Sequence, residues 1–115
     1  MPVAAFVVAA SVRLKNDGNP DALGAAVTTE LCGHWKHDGP CRWPHNNAID
    51  TDRTPARFRT LFVAADDEAS LVEQRVRDAL TSSNDWEVLS IERHPIANRD
   101  RGLAQRLLAA PRAAG

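Results

Sequence analysis

Hydrophobic positions at the start of the chain fall on both sides of the alternation. Between Val3 and Leu14, one set of alternate positions carries Val3, Ala5, Val7 and Ala9, and the other carries Ala4, Phe6, Val8, Ala10 and Val12. A strand apolar on both faces is expected in the middle of a sheet. Asn16 to Pro20 is turn chemistry, and Asn19, Pro20 and Asp21 line up as an N-cap, a first-turn proline and an acid that suits the helix dipole. Leu23, Ala26, Val27 and Leu31 then recur at helical spacing, which predicts a helix to about Leu31 with Gly33 as its stop. The segment from His34 to Asn47 is punctuated by Gly and Pro and is read as a structured loop. A short strand is expected from Asn47 to Asp52, a turn over Asp52 to Pro55, and a strand from Arg57 to Ala65 that carries Phe58, Leu61, Phe62 and Val63. Asp66, Asp67 and Glu68 open a second helix with Leu71, Val72, Val76, Ala79 and Leu80 on its apolar face, and Ser82 to Asp85 end it. Trp86 to Arg93 read as a fourth strand broken by His94-Pro95, and Asn98 caps a last helix through Leu103, Leu107 and Leu108.

The predicted order is strand, helix, loop, strand, strand, helix, strand, with an added C-terminal helix. This resembles the ferredoxin-like βαββαβ arrangement, an α+β fold in which an antiparallel sheet carries two helices on one face. The chain is expected to form a single domain over residues 1–115, with the ferredoxin-like core at about 3–95, a His/Cys-rich loop at 32–47 and the C-terminal helix at about 98–110. The resemblance is to an architecture; no motif names a family. Because the first and third strands look apolar enough to need cover, the sheet face away from the two helices is expected to have it. Either the C-terminal helix or a second subunit supplies it, the latter making a homodimer through the sheet face.

Composition narrows the function classes. The 115 residues are 43% hydrophobic and 25% charged, with 14 basic and 15 acidic side chains and a formal net charge of −1. This describes one soluble globular domain and gives no overall field to draw it to nucleic acid or an anionic membrane. No run approaches the length of a membrane span, and the N-terminal stretch lacks the layout of a secretory signal. Two cysteines are too few for a disulfide scaffold, so the expected compartment is the reducing cytoplasm. Twelve arginines against two lysines, with 19 alanines, suggest a GC-rich bacterial genome.

One segment concentrates the chemistry. Cys32, His34, His37, Cys41 and His45 are five of the six Cys and His residues of the whole chain, and they lie within 14 consecutive positions. Thiolates and imidazoles are the donors zinc prefers, and the intervals His34-x2-His37, His37-x3-Cys41 and Cys41-x3-His45 lie within known ligand spacings. His34, His37, Cys41 and His45 are the first ligand set, with Cys32 as the alternate ligand in place of His37. Four ligands would make a closed, structural zinc site; three would leave a position for an activated water. Asp38, Asp50 and Asp52 are candidates to orient an imidazole or act as a base.

The functional expectation is a non-enzymatic binding module, its Trp-bearing loop held in shape by the metal for an unidentified protein partner. Three other readings stay open. The loop is instead an ordinary cap on the sheet, with its His side chains hydrogen-bonded and Trp35 and Trp43 packed. Alternatively, the chain is a small enzyme using Cys41 beside Arg42, with His45 and Asp38, as a thiol or metal-dependent catalyst. Finally, Arg53, Arg57 and Arg59, with Arg13 and Arg42, gather into a basic patch near Phe58 and Phe62, which invites a single-stranded RNA platform. Arg57 to Val63 lacks the glycine and aromatic pattern of that platform, so solvated arginines over a phenylalanine core pair are favoured. His94 is read as a strand-end residue.

Overall fold

A computed structural model describes residues 3–15, 18–32, 43–83 and 85–109. Four strands, β1 (Val3–Leu14), β2 (His45–Asp50), β3 (Ala56–Ala65) and β4 (Trp86–His94), form one sheet in the order β2-β3-β1-β4, and every neighbouring pair is antiparallel. The doubly apolar β1 takes an inner position, as its pattern requires, with β3 as the other inner strand. Three helices complete the α+β fold: α1 (Asp21–Cys32), α2 (Ala69–Thr81) and α3 (Arg101–Ala109), the last preceded by a 3-10 turn over Asn98–Asp100.

The main core lies between the sheet and the pair α1 and α2. Val8, Ala10 and Val12 of β1 and Phe58 and Phe62 of β3 meet Leu23, Val27 and Leu31 of α1 and Val72, Val76 and Leu80 of α2, all essentially without solvent exposure. Asn19 starts α1 as expected, its side-chain oxygen accepting the Asp21 N–H at 3.0 Å. Trp86 closes the connection from α2 to β4 by donating its indole N–H to the Leu80 carbonyl at 2.6 Å.

The β1–β4 register shifts between Ser11 and Val12, so that Ala10 faces Ile91 while Val12 faces Val88. The extra residue changes the parity of β4. As a result Ile91, Val88 and Trp86 all pack toward the helices, whereas Leu89 at the shift is 43% exposed.

The opposite face of the sheet is divided. Ala104 of α3 packs on Val7 and Leu61, with Leu103, Leu107, Ile96 and Ala5 around them. The C-terminal helix therefore covers the apolar end of the face, and among the described residues the end bearing Arg57 and Arg59 is open.

Several boundaries differ from the expected ones. β2 runs from His45 to Asp50, two residues ahead of the expected strand, so the loop reaches only to Pro44. Asp66, Asp67 and Glu68 form a turn before α2, in which the Glu68 N–H bonds the Ala65 carbonyl at 2.8 Å, and the helix begins at Ala69. At the last helix Ala97, not Asn98, holds the N-cap position. There Asp100 reaches back to accept the Ala97 N–H at 2.9 Å, which leaves Asn98 inside the 3-10 turn.

Candidate functional site

His34, His37, Asp38 and Cys41 lie outside the described residues, as do Trp35 and Arg42. The two ends of the His/Cys segment are described. Cys32 is the last residue of α1 and His45 the first of β2. They are drawn to one edge of the domain because α1 packs along β2. Gly24 makes that approach close: a Cβ there would stand 3.4 Å from the Asn47 Cβ.

The contact between α1 and β2 is polar and directional. Asn47 donates from Nδ2 to the Gly24 carbonyl at 3.1 Å and to Thr28 Oγ1 at 3.2 Å. Thr28 Oγ1 lies 3.0 Å from His45 Nε2, and His45 Nδ1 lies 3.0 Å from the Trp43 carbonyl. A carbonyl only accepts, so Nδ1 carries a proton and, in the neutral ring, Nε2 accepts from the Thr28 hydroxyl. The chain of bonds runs from Asn47 through Thr28 and His45 to the backbone of Trp43. Both His45 nitrogens are thus engaged within the fold, and His45 would become a metal ligand through Nε2 only by giving up Thr28. Trp43 beside it is buried, with the Arg75 guanidinium 5.6 Å from its ring centroid.

Asp50 and Asp52 do not sit with His45. Asp50 is at the far end of β2, roughly 16 Å along the strand, and its side chain alternates to the other sheet face. Its Oδ1 accepts the Asp52 N–H at 3.0 Å in a local turn. Thr28 does for the imidazole what these acids were expected to do, a role that helical periodicity alone does not reveal. Among the described residues, no three His, Cys, Asp or Glu side chains come together to hold a metal ion.

A second constellation occupies the uncovered part of the other sheet face. Register sets Arg57 between Asp50 of β2 and Ser11 of β1, and Arg59 between Ala48 and Ala9. With Arg53, Arg99 and His94 they border a cleft of about 810 Å³, walled on one side by the 3-10 turn ahead of α3. Arg59 grips Asp100 in a two-point pair, Nη1 to Oδ1 at 2.8 Å and Nη2 to Oδ2 at 2.9 Å. The Arg59 hydrogen bond holds the Asp100 carboxyl down to about 2, against the opposing pull of burial, with the Ala97 N–H and the Arg59 and Arg99 charges adding to it.

Of the expected basic patch, Arg53, Arg57 and Arg59 do converge, whereas Arg13 pairs with Glu87 at 2.6 Å. Arg99 and Asp100 are additions the sequence pattern missed. Phe58 and Phe62 point the other way and are buried under the helices, Phe62 stacked on Phe6 with ring centroids 5.6 Å apart, so neither ring is open to a base. His94 at the end of β4 is 3.3 Å from Glu92. No described helix is long and apolar enough to cross a membrane. Comparison with known proteins finds neither a matching family model nor a matching curated relative.

Proposed function

We propose that this chain is a ferredoxin-like domain that acts as a cytoplasmic binding module, with a zinc ion shaping its His/Cys segment for a protein partner. The fold assignment is supported by the element order and by an antiparallel sheet with β1 and β3 inside and α1 and α2 against one face. The zinc reading is carried by one observation: five of the chain's six Cys and His residues fall within 14 positions. It is further supported by the packing of α1 along β2, which returns the segment to the edge it leaves.

The hydrogen bonds of His45 favour one ligand set over the others in this reading. His45 already has a hydrogen-bond contact at each ring nitrogen. Cys32, His34, His37 and Cys41 are therefore the donor set that leaves the α1–β2 contact intact, two thiolates and two imidazoles suited to a tetrahedral ion. His45 then acts as a neighbouring strut.

The test is the metal content of protein purified without added metal, followed by thermal melting with and without a chelator. About one zinc per chain is expected, with a lower melting temperature on chelation; less than about 0.2 per chain and an unchanged melt would overturn the proposal. Cys41→Ser should lose the metal. His45→Ala should retain it, and loss of metal there would restore His45 to the ligand set.

A further inference from the structure

We propose that the cleft on the sheet face away from α1 and α2 binds a small oxyanion ligand, one that carries phosphate or carboxylate groups on a short body. This site is separate from the His/Cys segment and does not depend on a metal there.

Its charge is unbalanced. Arg59 and Asp100 neutralise each other, which leaves Arg53, Arg57 and Arg99 at the border with Asp50 as the remaining acid. Asp50 lies across from Arg57 in register, yet Arg57 donates to the Ser11 hydroxyl at 3.0 Å and the Asp50 carboxylate accepts from its own turn at Asp52. Arg53 and Arg99 have no hydrogen-bond or ion-pair partner among the described residues. Elsewhere on the described surface Arg13 pairs with Glu87, Arg75 with Glu30, and Arg77 and Arg93 with Glu73, while Arg101 and Arg106 stand exposed on α3 and do not border the cleft. A chain with a net charge of −1 thus brings three guanidinium groups that have no ion-pair partner among the described residues to one concavity.

The geometry suits a small ligand. The three guanidinium groups belong to three different segments, the turn after β2, β3 itself and the 3-10 turn before α3, and all border the same cleft. Planar forks arranged in this way match the paired oxygens of a carboxylate or phosphate. Ala9 and Ala48 flank Arg59 and, with Val7, give the floor an apolar stretch where short side chains leave room. The volume, about 810 Å³, falls within the range of small-molecule pockets. The Arg59–Asp100 pair fixes the wall that carries Arg99.

Calorimetric titration of the full chain with two probes, inorganic pyrophosphate and citrate, tests the site and separates the two oxyanion sources. At least one probe should bind, and binding should weaken between about 50 and 200 mM salt. Arg57→Gln and Arg99→Gln should each weaken it by about tenfold or more, whereas Arg13→Gln, remote from the cleft, should leave it unchanged. Arg53→Gln repeats the measurement at an exposed turn position where the fold is least at risk. The proposal is overturned if neither probe binds by about 10 mM, or if the Arg57 and Arg99 variants bind as the parent does. Tighter binding of a short single-stranded RNA, lost in the same variants, would also overturn it in favour of a polymer ligand.

Discussion

Asp100→Asn is the perturbation that most directly probes the division of the sheet face. Asp100 is almost wholly buried, grips Arg59 at two points and accepts the Ala97 N–H, so its carboxylate joins β3 to the start of α3. A carboxyl that titrates at about 2 instead of its ordinary 3.8 contributes about 2 kcal/mol to folding at neutral pH. The sign follows from the depressed value. The stabilisation is fully present above about pH 4, where the unfolded chain is also ionised, and is lost as the pH falls toward 2 and the native carboxyl takes up its proton. Asparagine keeps the shape and removes the charge. Urea unfolding of parent and variant at pH 7 should therefore differ by about 2 kcal/mol, and the gap should close to within about 0.5 kcal/mol near pH 2. An equal gap at both pH values would refute the ionic account and assign the loss to packing alone.

Two further substitutions test the helix-facing core. Thr60 is fully buried and its hydroxyl has no hydrogen-bond partner among the described residues, so Thr60→Val should raise stability by about 1 kcal/mol in urea unfolding; a loss would mean the hydroxyl is satisfied. Phe62 is fully buried and stacked on Phe6, so Phe62→Ala should cost about 3–5 kcal/mol, read as a drop in the urea midpoint, and a cost below about 1 kcal/mol would contradict its central position.

The elements that sequence periodicity predicted best are those whose buried side is apolar. The two-faced pattern of β1, the Leu23-Val27-Leu31 spacing of α1 and the Val72-Val76-Leu80 spacing of α2 each identify an element and its packed face. β2 was displaced for a physical reason. The residues it turns toward α1 begin with His45 and Asn47, so its inward side carries hydrogen bonds and the hydrophobic alternation appears only at Ile49. The choice between α3 and a second subunit as cover was open because Leu103 and Leu107 mark an apolar helix face without saying which surface it meets. Arg59 and Asp100 are 41 residues apart, and no local pattern connects them. For the candidate site, the sequence revealed the His/Cys cluster and three of the cleft arginines. The use of both His45 nitrogens emerged only from the packing of α1 on β2.

The polar contact between α1 and β2 also fixes how an edge strand is aligned. β2 offers little hydrophobic surface to hold its place, and strands of that kind are prone to slide along their neighbour. A slip of one residue would turn Asn46, Ala48 and Asp50 toward α1 in place of His45, Asn47 and Ile49. Gly24 and Thr28 would lose their partners, and a carboxylate would be driven toward the core. Three directional bonds to one helix thus do for β2 what a greasy inner face does for β1: they make every other alignment unfavourable.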